Sequence, residues 1–267
     1  MAQVVVVVHS IVGLLNEGLN SAWLGSLLAT LPFVVFFAFV ILGKLARTSE
    51  NLPLIIICSA TGTILAWYLP SQSYLPLMYA AVFGLIGCLL YVFWFSRYGG
   101  RDSSVLKVGG KLPDFTLFRS DGSAVSSNEI SQSPALLMFF RGNWCPLCMA
   151  QIKEIADQYQ TLDKRGVKIY LISPQSSENT QELASRFSVP MTFLVDTDLK
   201  SARLLKIAID DAVPMGVFGY DVDSVMPTVI MLNNEGEIIF ADLTDNYRVR
   251  PEPSTFIKIF DEYSSVH

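Results

Sequence analysis

From Asn51 to Ser96 the chain carries no lysine, arginine, aspartate, glutamate or histidine. A run of that length with no charge has no face to offer to water, so it belongs in a bilayer or in a very large core. The rest of the chain is different. From Arg97 to His267 charged and apolar residues mix as in an ordinary soluble domain, and about 165 residues are enough to bury a core of their own. Over the whole chain hydrophobic residues make up 51% and charged residues 16%, against about a quarter charged in a typical soluble protein. The deficit is confined to the N-terminal third, which makes two regions, one facing lipid and one facing water.

Three apolar runs, 22–43, 52–69 and 75–95, are long enough to span a bilayer, since ~20 helical residues cover the ~30 Å hydrocarbon core. Trp23, Trp67, Tyr68, Tyr74, Tyr91 and Trp94 stand near the ends of these runs, where interfacial aromatics gather. The opening run, 4–15, is shorter and contains His9; it reads as an interfacial helix or a short fourth span. No basic segment precedes it and further spans follow, which argues against a cleaved signal peptide. Lys44 and Arg47 lie between the first and second spans and Arg97 and Arg101 follow the third, while 70–74 has no basic residue. The positive-inside rule therefore places the soluble domain in the cytoplasm, with the extracytoplasmic side as the alternative.

Two residue counts exclude whole classes of chemistry. The only histidines are His9 and the terminal His267, so neither a Ser-His or Cys-His pair nor a histidine-based zinc or haem site has its parts. Net charge is −5 and basic residues form no cluster, which makes nucleic acid a poor partner. Four cysteines are present: Cys58 and Cys88 in the apolar runs, Cys145 and Cys148 in the soluble half. Four scattered cysteines are not a disulfide framework.

Residues 97–107 read as a flexible linker and 108–267 as the soluble domain, with 1–96 as the membrane region. Strands are expected at 135–140, 167–172, 191–195, 228–232 and 237–241, and helices at 146–164, 177–187, 199–208 and 254–263. That alternation predicts an α/β sandwich with a partly parallel sheet. The helix starting at 146 is the best specified. Met149, Ile152, Ile155, Tyr159 and Leu162 recur at helical spacing, and Lys164, Arg165 and Gly166 mark its end. Pro146 suits the first helical position, which puts Cys145 at the N-cap. A thiolate there faces free backbone N–H groups and the positive end of the helix dipole, so its pKa should fall below ~8.5. Cys148, one turn on, is placed to attack a mixed disulfide at Cys145 and release the partner. A structural zinc would need two further ligands, and neither a second Cys-x-x-Cys nor a histidine supplies them.

The segments Gly110-Lys111-Leu112-Pro113-Asp114-Phe115-Thr116-Leu117 with Asp121-Gly122, Phe139-Phe140-Arg141-Gly142-Asn143-Trp144-Cys145-Pro146-Leu147-Cys148, and Met226-Pro227-Thr228 appear in that order. Together they resemble the alkyl hydroperoxide reductase/thiol-specific antioxidant (AhpC/TSA) and TlpA-like redoxins over about residues 108–262. The resemblance implies a three-layer thioredoxin-like α/β/α domain behind N-terminal transmembrane helices. It implies a redox-active Cys145–Cys148 disulfide and no other cofactor or metal. It further implies a cis Met226–Pro227 bond in a loop that binds substrate backbone, so that Met226, Pro227 and Thr228, with Trp144 and Pro146, line a substrate groove.

Two departures bear on the reaction. Peroxidase-type members carry a Pro and a Thr or Ser seven and three residues before the reactive cysteine, where this chain has Met138 and Gly142. They also take an arginine from the later strand, where Met226 stands; Arg141 is the candidate electrostatic substitute. Thioredoxin's buried acid is replaced by Phe139, and the distal histidine of copper-carrying relatives has no counterpart. The leading expectation is therefore thiol–disulfide exchange with protein or small-molecule partners and a thiol electron donor. The second is thiol-dependent peroxide reduction, with Cys145 peroxidatic and Cys148 resolving. A third, of another class, is a non-catalytic membrane interaction module. Cys58 and Cys88 lie at similar depth from the same membrane face, ~8–12 Å in, and are candidates for an electron relay as well as ordinary small apolar residues.

Overall fold

The structure is a computed structural model that describes residues 2–214 and 217–266; His267 lies outside the described residues. The chain divides into two compact units, Met1–Arg97 and Tyr98–His267.

The first unit is helical: α1 (Ala2–Glu17), α2 (Ala22–Ile41), α3 (Pro53–Tyr68) and α4 (Leu75–Phe95). Helices α2 and α4, with 20 and 21 residues, are long and apolar enough to cross a membrane by length and composition. The run expected as a full span over 52–69 is shorter. Leu52 takes a left-handed conformation before Pro53, and Leu69 turns extended, leaving a helix of 16 residues that rises about 24 Å. Its partner is α2. A Cβ on Gly25 would lie 2.4 Å from the Ala66 nitrogen, and one on Gly62 would lie 2.5 Å from the Ala29 nitrogen. Only small residues let two helix backbones approach so closely. Ser59 Oγ donates to the Ala29 carbonyl at 3.0 Å across the same seam. Cys58 on α3 is half-buried and Cys88 on α4 is buried.

In the second unit the apolar runs of the sequence become the centre of a sheet. Its elements are β1 (Thr116–Phe118), β2 (Ala124–Ser126), α5 (Ser127–Ile130), β3 (Ala135–Phe139), α6 (Pro146–Asp157), α7 (Tyr159–Asp163), β4 (Lys168–Ser173), α8 (Ser177–Ser185), β5 (Thr192–Val195), α9 (Lys200–Leu204), β6 (Ala208–Ile209), β7 (Ser224–Val225), β8 (Thr228–Leu232), β9 (Ile238–Ala241) and α10 (Pro253–Val266). Seven strands pair in the order β2-β1-β5-β4-β3-β8-β9. The three central strands β3, β4 and β5 are parallel, while β8 runs antiparallel to β3 and β9 to β8. Every residue of β3 is buried, so both faces of the central strand are covered, which is why it reads as a continuous apolar run and not as an alternation. Ala135, Leu137 and Phe139 enter one core with Leu117, Ile130, Ile172, Leu194 and Ile230. Leu136 and Met138 point to the opposite face and are equally buried.

Three expectations change at this level. The helix predicted over 146–164 breaks at Gln158 into α6 and α7. The pairs β1–β2 and β6–β7 are too short to leave a sequence pattern. The segment 97–107 is not a free linker: Leu106 is buried in the core, Lys206 pairs with Asp102 at 2.7 Å, and Gly100 N–H donates to Asp245 Oδ1 at 2.9 Å. Those contacts supply the apolar burial and partners that a solvated linker lacks.

Candidate active site

The turn between β3 and α6 places the two soluble cysteines. Phe140 N–H donates to the Ile172 carbonyl at 2.9 Å and so carries the β3 ladder one residue further. Gly142 then adopts φ 137°, a conformation L side chains rarely take, and a Cβ there would meet the Trp144 ring at 3.0 Å and Tyr220 at 3.2 Å. The φ favours glycine, and a Cβ would also need the Trp144 and Tyr220 rings to give by a few tenths of an ångström. Asn143 ties the turn down, its N–H donating to Gln175 Oε1 and its Nδ2 to the Asn179 carbonyl, both at 2.9 Å. Pro146 opens α6, and Cys145 is its N-cap, with Sγ accepting the Cys148 N–H at 3.4 Å. Both cysteines are free thiols. Cys145 is 4% exposed and Cys148 is fully buried.

The group closest to both sulfurs comes from the other end of the domain. Arg250, in the segment before α10, is 6% exposed. Its Nη1 and Nη2 each lie 3.6 Å from Cys148 Sγ, and Nη2 lies 3.9 Å from Cys145 Sγ. Gln151 Oε1, one turn beyond Cys148 on α6, accepts from Nη1 at 3.0 Å, and the Tyr247 carbonyl accepts from Nε at 3.0 Å. The guanidinium is thus aimed by two oxygens and delivered to the dithiol. Nothing in the sequence motif points to it, because it lies 102 residues beyond Cys148. The only hint is a pair of arginines, Arg248 and Arg250, just before Pro251 and the last helix.

Arg141, the arginine expected from the motif, acts at longer range. Its guanidinium stacks on the Trp144 ring at 4.6 Å and stands over Tyr247 at 5.9 Å, and Nη2 donates to the Ala212 carbonyl. Trp144 is therefore occupied by Arg141, and its buried Nε1 has no hydrogen-bond partner. Tyr98, from the segment before β1, completes the surroundings; burial pushes its hydroxyl up, against the pull of Arg141, Arg250 and Arg101. Burial also pushes both thiols up, but the two part company. Cys148 is brought down to about 5 by the Cys145 thiol, Arg250 and the Arg141 amide. Cys145 is held well above the ordinary thiol range by burial, by donating to Cys148 and by the charge there.

The proline loop departs from expectation. The Met226–Pro227 bond is trans, as are all peptide bonds among the described residues. Arg101 Nη1 donates to the Pro227 carbonyl at 3.0 Å, and its Nη2 donates to Thr228 Oγ1. Thr228 Oγ1 in turn donates to the Met226 carbonyl at 2.8 Å, and Met226 N–H donates to the Ile207 carbonyl at 2.7 Å. The Met226 amide, the Met226 and Pro227 carbonyls and the Thr228 hydroxyl thus all have partners within the domain.

Residues 108–241 match the family model described as AhpC/TSA family. The chain belongs to the AhpC/TSA family. Among curated relatives, a Helicobacter pylori protein named as a bcp peroxiredoxin is 30% identical over 101 residues, covering 38% of this chain and 66% of that protein. The chloroplastic peroxiredoxin Q of Sedum lineare is 29% identical over 121 residues, covering 45% and 62%. The thiol-disulfide oxidoreductase ResA of Bacillus subtilis is 25% identical over 156 residues, covering 58% and 76%. The chain thus spans slightly less than two thirds of the first two relatives. Reduced Prx3 of Vibrio vulnificus, solved in complex with H2O2, superposes with a TM-score of 0.51 at 14% identity over 59% of this chain and 98% of that one. That likeness places the second unit in the thioredoxin/peroxiredoxin-like α/β fold. In this AhpC/TSA member the sulfur-facing cation comes from Arg250, beyond the stretch that the family model matches.

Proposed function

We propose that this AhpC/TSA chain is a membrane-anchored thiol–disulfide oxidoreductase whose working group is the Cys145–Cys148 dithiol. The observation that carries the reading is two free thiols one helical turn apart, with a single buried guanidinium within hydrogen-bonding distance of both sulfurs. Cys145 is the attacking residue, because it alone of the pair has any exposed surface. It forms a mixed disulfide with the substrate, Cys148 attacks Cys145 Sγ, and the substrate leaves as thiol while the pair closes as a disulfide. Two electrons pass from the dithiol to the substrate disulfide, and a thiol donor restores them. This chemistry needs no metal or organic cofactor. Three apolar helices, with α1 as an interfacial or fourth element, anchor the domain on the cytoplasmic side.

A specific observation supports peroxide reduction as the second reading. Arg250 supplies a cation beside Cys145 that Met226 cannot, although Gly142 still offers no hydroxyl. The experiment is a side-by-side assay of the full chain in detergent micelles, comparing reduction of a protein disulfide with consumption of peroxide and recording the dithiol potential. Disulfide reduction that is lost in Cys145→Ser and outpaces peroxide consumption supports exchange. Faster peroxide consumption moves the assignment to the peroxidase. No turnover of either kind overturns both readings and leaves an interaction module.

A further inference from the structure

We propose that the resting negative charge of the dithiol sits on Cys148, and that this buried thiolate is the base that takes the Cys145 proton when Cys145 attacks. The inference rests on the exchange reading above and assigns the proton steps within it.

Arg250 is buried beside the two sulfurs. A cation that is 6% exposed needs an anion, because an uncompensated buried charge is strongly destabilising. Its hydrogen-bond partners are the Tyr247 carbonyl, Gln151 Oε1 and the two sulfurs. Among the described residues no carboxylate pairs with it. The counter-charge therefore belongs to one of the thiols, and geometry decides which. Both terminal nitrogens reach Cys148 at 3.6 Å, while only one reaches Cys145, at 3.9 Å. Gln151 fixes Nη1 on the Cys148 side.

The charged and titratable groups around Cys148 come from each packed element. They are Arg250 from the segment before α10, Arg141 from the β3–α6 turn, Tyr98 from the segment before β1, and Cys145 at the start of α6. Arginine charges favour the thiolate, Tyr98 is held neutral by its burial, and Cys145 is a thiol donor to Cys148. The directions of the two thiol shifts agree with this arrangement: Cys148 down, Cys145 up. It inverts the order expected from the helix N-cap alone, because Cys148 receives two guanidinium contacts at 3.6 Å, whereas Cys145 receives one at 3.9 Å and a neutral amide at 3.4 Å.

The steps balance. Cys145 Sγ forms a bond to one sulfur of the substrate disulfide, the substrate S–S bond breaks, and the Cys145 proton passes to the Cys148 thiolate. The first leaving thiolate then takes that proton from Cys148 and departs as a thiol. Cys148, a thiolate again, forms the bond to Cys145 Sγ and expels the second substrate sulfur as a thiolate. One proton and one negative charge enter with the dithiol and leave on the products. Arg250 stays beside the sulfurs throughout.

The test uses the full chain in micelles with [13Cβ]cysteine, its resonances assigned by single Cys→Ser variants. The expected result is that the Cys148 Cβ titrates near pH 5 and the Cys145 Cβ only in the alkaline range. A limiting alkylating agent should place its adduct on Cys145, at a rate that follows the Cys148 titration. Arg250→Gln should raise the Cys148 midpoint by about one unit or more, and Arg250→Lys should keep part of the depression. The proposal is overturned if Cys145 titrates first, if the adduct forms on Cys148, or if neither midpoint moves in Arg250→Gln. These readouts need no substrate, so the two readings fail separately. Charge on Cys148 without disulfide reduction overturns exchange and leaves the charge assignment standing. Reduction with Cys145 titrating first does the reverse.

Discussion

Arg250 meets the Cys148 sulfur with both terminal guanidinium nitrogens at 3.6 Å, although 102 residues separate the two in sequence. A cation so placed converts a pair of buried thiols, which desolvation would keep protonated, into a monoanionic pair ready for exchange below neutral pH.

Replacing Arg250 with Gln removes charge-assisted contacts of the ~1.5–3 kcal/mol class. Disulfide reduction at pH 6.5 should fall by up to about sixfold, and the deficit should narrow at pH 8.5, where thiolate forms without help. A rate ratio that stays constant with pH would mean that Arg250 serves the packing and not the sulfur charge.

Gly142→Ala places a Cβ at φ 137°, 3.0 Å from Trp144 and 3.2 Å from Tyr220. The expected cost is about 1–3 kcal/mol of domain stability, read as a lowered urea midpoint. An unchanged midpoint would show that the turn relaxes around the added methyl group.

The stability of the reduced protein should depend on the dithiol. Cys148 has a folded pKa of about 5, below its unfolded value of ~8.5. Its contribution is fully present above the unfolded value and is lost as pH falls through the folded one. Cys145 is shifted the other way, so it subtracts stability once pH passes the ordinary thiol range. Relative to a Cys145→Ser/Cys148→Ser double variant, unfolding free energy should rise from pH 5 to pH 8 and then fall. Urea titrations across that window give the curve, and the disulfide form should lack it.

Leu106→Ala should cost about 2–4 kcal/mol, as a core truncation does, because Leu106 is 2% exposed within the main core. A fragment beginning at Tyr98 should accordingly unfold at higher urea than one beginning at residue 108. Equal midpoints would return 97–107 to the status of a linker.

The orientation of the anchor is open to a reporter fused after the last residue. Activity of a cytoplasm-restricted reporter is expected from Lys44, Arg47, Arg97 and Arg101. Activity only of an exported reporter would place the dithiol in an oxidising compartment and favour the disulfide as its resting state.

By itself the sequence determined whatever depends on neighbours along the chain. The charge-free run announced the apolar helices, and the continuous apolar segments announced β3, β4, β5 and β8 within a residue or so of their ends, because a strand buried on both faces needs nothing but apolar residues. Pro146 at the first helical position located Cys145 at an N-cap for the same local reason. Only the tertiary structure decided what surrounds the sulfurs. Arg250 is one arginine among many until the domain packs and buries it, and burial, which strengthens its field at Cys148, is a property of the packed domain and not of any sequence window. The same holds for Arg101, which turns an expected linker into a clasp on Pro227 and Thr228. The resemblance at Met226-Pro227-Thr228 concerned residue types, whereas the hydrogen bonds that close that loop come from Ile207 and Arg101, elements distant in sequence whose approach only the fold sets.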